Sequence, residues 1–544
     1  MYCITNRERG KVTDRSRADL FLAQELGVND FDGARDRLAG VEIALALAPD
    51  LAGERLGQLT LLVAANILCR LGPYCPKIAI VVPDTACVHP DLPLLPSGSP
   101  LGDVLCRFME DTQRPEKRSH RQYRVGAFDD AFALALVIGD ARVKASRTLY
   151  TWYERWTGGF ADTSQPITYR GSNSFGALLA GALGATGVSR LLLERIAAPG
   201  FAPQPLPRAA ALSAYSYTSP STPGSEPDVP IQVDFRAIGP LLLVGGGAVA
   251  SGLAFALVSL PQVVGDLTIT DHDGIDATNL ERHLIATWEH VGLLKATRVA
   301  QLFADGVWNG LVVRAYNSRY EHLPPAQWRT MIAAVDDADI RRRLQFDLPE
   351  TLLNAGTVGP EFLVSRHDYG AGPCAECLYP EHSQPARTLV EMLAVQTGLD
   401  VTEVVRLEGE RSPLTEEQIA RIVERGELMF PEEVLERARH DGFRALAESA
   451  CTTATVRPEL PAATIGFVAA LPGILLAAEL VKEVVFRTGL TDGPPLAGAQ
   501  SVFRFDTFGE LQDPIELARP SRGCRCQEQL MRAAYLRRWR DDTE

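Results

Sequence analysis

The chain has little of what would tie it to a membrane or to nucleic acid. No apolar run reaches bilayer-spanning length, and the opening MYCITNRERGK lacks the apolar core of a secretion signal. The expectation is a cytoplasmic protein with no membrane partner. A formal charge of −14 has the wrong sign for coating nucleic acid. Ten cysteines in 544 residues are too few for a dense disulfide framework, and a reducing compartment keeps them as thiols. Lysine is scarce, with six against 48 arginines, so Lys295 stands out. GC-rich codon usage explains that bias.

What is present is an ordinary globular composition, long enough for two or three domains. Residues 1–210 alternate strand-like runs (KIAIVVPD, AFALALVIGDA) with apolar helical ones (LGQLTLLVAANILCRLG, NSFGALLAGALGATGVSRLLLE). That alternation predicts a parallel sheet covered on both faces. No glycine loop with polar residues behind it occurs in this half. A Pro/Ser-rich stretch over 211–230 marks a linker. Residues 231–383 and 452–530 form a second α/β domain, interrupted by a charged helical insert over 384–451 and followed by a tail over 531–544. Thr415 and Gln418 have capping-box spacing inside the insert.

The second domain begins with LLLVGGGAVASG. A strand ending in Gly245, Gly246 and Gly247 brings backbone close to a phosphate at the next helix N-terminus. Asp271 ends the following strand, TITDHD, where a carboxylate accepts from ribose hydroxyls, and Asp273 two residues on is a further candidate for nucleotide binding. To this point a dinucleotide oxidoreductase fits as well as an ATP enzyme. Arg282 and Lys295, in NLERH and GLLKA, add two cations that suit a triphosphate better. Asp336, ending the strand IAAVD, is a carboxylate of the kind that holds Mg²⁺.

The run VGGGAVAS, TDHD, NLERH, GLLKA, VDDADIR, NAGTVG resembles the adenylation domain of ubiquitin-activating enzymes and their bacterial relatives in the ThiF/MoeB family. The resemblance covers roughly residues 235–380 and 461–526. It departs from the family's GxGGxGS at Ala248 and Ala250. It implies an α/β fold class: two Rossmann-like ThiF-type adenylation folds as a pseudo-dimer, with a helical catalytic-cysteine insert and a zinc-tied crossover segment. It also implies ATP and Mg²⁺ binding and adenylation of the C-terminal carboxylate of a ubiquitin-like protein. Asp271 would be the ribose ligand, Asn279, Arg282 and Lys295 the phosphate and transition-state contacts, and Asp336 the magnesium ligand. Residues 1–210 would be an inactive adenylation-like domain. Arg17, in TDRSRADLFLAQELG, would reach the phosphates from it.

Cys374 and Cys377 form a CxxC pair, and Cys524 and Cys526 a CxC pair. Four thiolates suit a closed zinc site, and two unrelated pairs of free thiols are the plain alternative. The resembling family uses two CxxC pairs to tie its crossover segment, which favours structural Zn²⁺. Cys451, in ESACTTATVRPELP, matches the region where such enzymes take the activated carboxyl as a thioester, a step thiolate chemistry suits. The implied partners are a ubiquitin-like protein and a conjugating enzyme, in a homodimer or in a monomer with an internal pseudo-dimer, with bacterial antiphage defence as the setting. Two other functions stand beside this one: adenylation of a sulfur-carrier protein for cofactor synthesis, and a non-catalytic scaffold.

Overall fold

Two sheets of the same strand order follow one another along the chain. The first runs β3-β2-β1-β4-β5-β6-β7: β1 (Glu42–Leu47), β2 (Lys77–Val81), β3 (Gln122–Gly126), β4 (Ala131–Ile138), β5 (Lys144–Glu154), β6 (Thr157–Ala161) and β7 (Ala209–Ser213). Pairing is parallel from β3 through β5, and β6 and β7 are added antiparallel. Runs such as EIALAL in β1 are apolar without alternation because both faces of such a strand are covered.

The second sheet repeats the plan as β11-β10-β9-β12-β13-β14-β15-β16, with the short β8 (Val233–Asp234) beside β10. Its strands are β9 (Leu241–Val244), β10 (Val263–Thr270), β11 (Gly310–Tyr316), β12 (Thr330–Ala333), β13 (Thr351–Val358), β14 (Glu361–His367), β15 (Ser501–Asp506) and β16 (Ile515–Leu517). The parallel part ends at β13, and β14, β15 and β16 continue antiparallel. Both sheets are therefore parallel-rich and the fold is mixed α/β.

The structure, a computed structural model, describes residues 16–115, 122–218, 233–304, 310–369, 372–379, 394, 397–410, 413–425, 432–443, 445–446, 463–489, 501–509, 515–517, 520–521 and 524–539. Residues Met1–Tyr379 with Ala463–Glu544 pack as one compact unit, and Pro380–Ala462 as another. The smaller unit has its own core, in which Leu399, Val404, Ile419, Ile422 and Leu446 are buried among the helices Val401–Glu410, Glu416–Arg425 and Glu432–Asp441. The Gln418 carboxamide accepts from the Thr415 backbone N–H at 2.8 Å, and the Thr415 hydroxyl accepts from Gln418 N–H at 3.3 Å.

In the larger unit both halves share one apolar core. Glycines let the central helices approach closely. A Cβ on Gly181 of helix Phe175–Leu193 would stand 2.6 Å from the Thr60 carbonyl oxygen, and one on Gly473 of helix Gly466–Arg487 would stand 2.5 Å from that of Val249. Helix Phe175–Leu193 is long and apolar enough to cross a membrane, which corrects the expectation that no run of that length occurs. All of its residues are buried, as expected of a helix apolar on every side at the centre of a folded core. The first sheet also runs past residue 210. β7 extends to Ser213, and the buried ring of Tyr217 lies 4.6 Å from that of Phe503.

Polar contacts tie the halves together. Arg55 Nη1 donates to the Ser259 carbonyl at 2.8 Å, and Asn66 Nδ2 to that of Leu284 at 2.9 Å. Arg70 reaches the carbonyls of Leu280, Leu284 and Ala286. The last three lie just past Arg282 or just before it, so this seam supports the loop that carries the candidate cations.

Candidate functional site

β9 lies between β10 and β12: the chain passes from β9 to β10 on one side and returns from β11 to β12 on the other, which opens a crevice at the carboxyl ends of the strands. Gly245 forms the turn there with φ at 98°. A Cβ on it would stand 2.6 Å from the Ala334 carbonyl oxygen, so both conformation and space demand glycine. At Gly246 a Cβ would meet the Lys295 Cβ at 2.9 Å, whereas one on Gly247 would point into open space. Gly247 begins helix Ala248–Val258, whose first turn has no side-chain cap. N–H groups of a helix start without a side-chain cap are donors that an anion satisfies.

Asp271 closes this loop. Its Oδ2 accepts from Gly246 N–H at 2.6 Å and its Oδ1 from Asp273 N–H at 2.8 Å. Asp273 in turn accepts from Lys295 Nζ at 2.9 Å, and Lys295 holds its carboxyl below the usual carboxylate range. Lys295 opens helix Lys295–Ala304. The buried Asn279 accepts from Asp276 N–H at 3.4 Å in a short 3-10 turn.

Arg282 donates to the Thr278 carbonyl at 3.3 Å. Burial, and then the nearby cation of Arg17, bring its guanidinium down to about 10, while Glu281, Asp276 and Asp336 act in the opposite sense. Arg17 comes from the first half, as the first residue of helix Arg17–Leu26, and Glu281 Oε2 accepts from Ala18 N–H at 3.0 Å. Asp336 is exposed just after β12. The crevice thus gathers Gly245, Gly246, Gly247, Asp271, Asp273, Asn279, Arg282, Lys295 and Asp336, with Arg17 brought across from the other half.

His283 and Glu281 received no role from the sequence, although both stand in the quoted NLERH. The buried His283 Nε2 is 3.0 Å from the Gly246 carbonyl oxygen, which fixes Nε2 as the protonated nitrogen. Burial brings its pKa down to about 3, so the ring is neutral. In the corresponding crevice of the first sheet, β1 leads into Ala48, Pro49 and Asp50 in place of glycines. The buried Leu51 packs there on Gly139, where a Cβ would stand 2.6 Å from Leu51 Cδ1.

The four cysteines converge. Cys374 Sγ lies 3.9 Å from Cys377 Sγ and 3.4 Å from Cys524 Sγ, and Cys377 Sγ lies 3.6 Å from Cys526 Sγ. A Zn–S bond of about 2.3 Å places sulfurs roughly 3.8 Å apart in a tetrahedron, whereas a disulfide needs about 2.05 Å. The set fits zinc, and the CxC spacing does not prevent closure. Hydrogen bonds from Cys374 and Cys377 pull Cys526 well below the usual thiol range. The other close group of possible ligands among the described residues, Asp271, His272 and Asp273, does not include Asp336. Cys451 lies outside the described residues.

An uncharacterized protein of Sinorhizobium fredii is 26% identical over 359 residues, covering 61% of this chain and 64% of that protein. The adenylyltransferase and sulfurtransferase MOCS3 of Sus scrofa is 27% identical over 229 residues, covering 37% of this chain and 48% of its own length. The chain thus spans less than two thirds of these relatives. Among solved structures, E. coli MccB with ATP aligns at 14% identity and a TM-score of 0.32, covering 54% of this chain and 68% of that one. The ThiF family model matches residues 234–526, which is more than half of the sequence, and the chain belongs to the ThiF family.

Proposed function

We propose that the chain adenylates the C-terminal carboxylate of a ubiquitin-like protein with ATP, then carries the acyl group on Cys451 for a conjugating enzyme. One observation carries the adenylation step. Arg17 and Arg282, from opposite halves, are brought together at the glycine loop: Glu281 accepts from the Ala18 N–H next to Arg17 at 3.0 Å, and His283, next to Arg282, lies 3.0 Å from the Gly246 carbonyl oxygen. Two guanidiniums brought together in this way are stabilised by an anion as charged as a polyphosphate. The carboxylate oxygen attacks the α-phosphorus, the bond to the bridging oxygen breaks, and pyrophosphate leaves. Negative charge builds on the phosphate oxygens, and Arg17, Arg282 and Lys295 are the groups to meet it.

Asp271, whose oxygens already hold the glycine loop, keeps lone pairs for ribose hydroxyls. Asp336 offers the carboxylate for Mg²⁺, whose remaining ligands would be phosphate oxygens and water. The magnesium supplies charge neutralisation on the phosphates when bound. The four cysteines would hold zinc as a structural tie. Cys451 thiolate then attacks the acyl carbon and AMP leaves, which conserves the acyl group as a thioester. The setting of this reading is the cytoplasm of a bacterium, in antiphage conjugation.

The likeness to MOCS3 supports a second reading, in which the adenylate of a sulfur carrier receives sulfur and no conjugating thioester forms. One experiment separates the two. The chain is incubated with ATP, Mg²⁺ and a carrier ending in a free glycine carboxylate, then run without reductant alongside Cys451→Ala. ATP–pyrophosphate exchange with a reducible adduct lost in the variant supports the first reading. Exchange without an adduct supports the second, and absence of both overturns adenylation.

A further inference from the structure

A buried chain of polar groups runs from the cysteine cluster to the strand end that carries Asp336. Arg341 is its centre. This arginine, 5% exposed, lies on helix Ala338–Phe346 and donates through Nη2 to the Val335 carbonyl, one residue before Asp336. Through Nη1 it donates to Asn354 Oδ1, and to the Tyr379 hydroxyl at 3.0 Å. Its guanidinium also lies 5.0 Å from the centre of the Tyr379 ring. Gly356 leaves it room, because a Cβ there would stand 3.0 Å from Nη2. All of these hydrogen-bond acceptors are neutral.

Two arms lead from Arg341 to the cysteine-bearing segment. The direct arm is Tyr379, two residues after Cys377. Its hydroxyl accepts from Arg341 and, at 3.1 Å, from Asn354 Nδ2, while its backbone carbonyl accepts from Arg342 Nη1 at 2.9 Å. The longer arm passes through Asn354 Nδ2, which donates to Ser365 Oγ at 2.9 Å. Ser365 Oγ lies 3.0 Å from His367 Nε2, and His367 Nδ1 lies 2.8 Å from the Pro373 carbonyl oxygen, directly before Cys374. The carbonyl only accepts, so Nδ1 carries the proton, Nε2 accepts from the serine hydroxyl, and every link has a defined direction. Asn354, Ser365 and His367 are all buried.

A buried guanidinium with neutral partners holds its position only while each acceptor stays in place, since an unmet donor in the interior is expensive. Moving the cysteine segment withdraws the Tyr379 hydroxyl and loosens the Pro373 end together. Arg341 then loses the contacts that fix it against the Val335 carbonyl.

We propose that Arg341 is a positioning residue that makes the placement of Asp336 depend on closure of the four-cysteine cluster. A chain whose thiolates are stripped of metal is thereby slowed at the nucleotide site without chemical change to any group there. The link to catalysis rests on the adenylation reading, whereas the link between cluster and strand end does not.

The test uses the full chain, zinc-loaded or stripped by a chelator, as wild type and as Tyr379→Phe. Two quantities are read: amide exchange of the peptide spanning residues 331–340, and the KM for ATP in pyrophosphate exchange. Stripping zinc is expected to speed exchange in that peptide at least fivefold. Tyr379→Phe is expected to do so with zinc still bound at one per chain, and to raise the KM for ATP several-fold. Should Tyr379→Phe fail to fold, Ser365→Ala cuts the other arm and is read identically. Unchanged exchange at 331–340 in both the stripped protein and the variant overturns the proposal. Faster amide exchange in a chain with no pyrophosphate exchange even as wild type upholds the coupling and overturns the adenylation reading instead.

Discussion

Glu281 accepts a hydrogen bond from the Ala18 backbone N–H at 3.0 Å, across 263 positions of sequence. A carboxylate at the first turn of a helix satisfies an otherwise unpaired donor and complements the helix dipole. Here it also fixes Arg17, the neighbouring residue, beside Arg282. Arg282→Ala is expected to lower ATP–pyrophosphate exchange by about 10²–10³-fold, the usual effect of losing one preorganised contact to developing charge. Arg17→Ala should lower it less, and Glu281→Ala should act in the same direction as Arg17→Ala by loosening the helix start. Wild-type exchange rates in Arg17→Ala would remove the first half from the chemistry.

Gly245→Ala tests the loop. The turn has φ at 98° and the added methyl would collide with the Ala334 carbonyl oxygen at 2.6 Å. Strain and displaced backbone together are expected to lower stability by about 2 kcal/mol or more and to abolish nucleotide binding. Gly247→Ala, with an ordinary φ and open space ahead, should keep the melting temperature and weaken ATP binding alone. Equal losses of stability in the two variants would refute this division.

Stability should fall in mild acid. His283 is held neutral by burial, with Arg70, Lys295 and Arg282 acting in the same sense, and His367 is likewise brought down to about 4. Both folded values lie below the ordinary 6.5, so the unfolded chain binds more protons between these limits. Unfolding free energy therefore rises with pH across this window and is lost on acidification, by about 1.4 kcal/mol per pH unit for each histidine. Denaturant titrations from pH 7 to pH 4 should show a shallower slope in His283→Gln than in wild type. Parallel slopes would contradict the assignment.

Removing one ligand should open the cysteine cluster. Cys526→Ser is expected to reduce bound zinc from one per chain towards none, and to lower the melting temperature by several degrees, because metal binding contributes directly to folding. Metal analysis of the purified variant decides this, and full zinc content in Cys526→Ser would rule out a four-thiolate site.

The places of the glycine turn and Asp336 after strands, and of Lys295 at a helix start, are legible because short-range backbone pattern dictates where those elements begin and end. The four cysteines were legible for a similar reason, since few side chains have so narrow a use. His283 was not, although it adjoins Arg282, because its role depends on a carbonyl 37 positions away. Asp273 stands among the expected nucleotide contacts, and its pairing with Lys295 is visible only in the packed helix start. Helix Phe175–Leu193 shows the opposite difficulty, because its burial is set by neighbours on every side that a linear reading does not contain. The repeated fold follows from the family resemblance of the second half and not from the residues of the first, because the two halves share topology while their turns differ, Ala48–Pro49–Asp50 in one and three glycines in the other.

That repetition within one polypeptide has a kinetic consequence. A site assembled from two separate subunits falls apart on dilution, and its turnover per molecule falls with it. Here Arg17 and Arg282 belong to one compact unit, so their encounter is intramolecular and its effective concentration is set by the fold. On the adenylation reading, the contribution of Arg17 to the site is then independent of chain concentration.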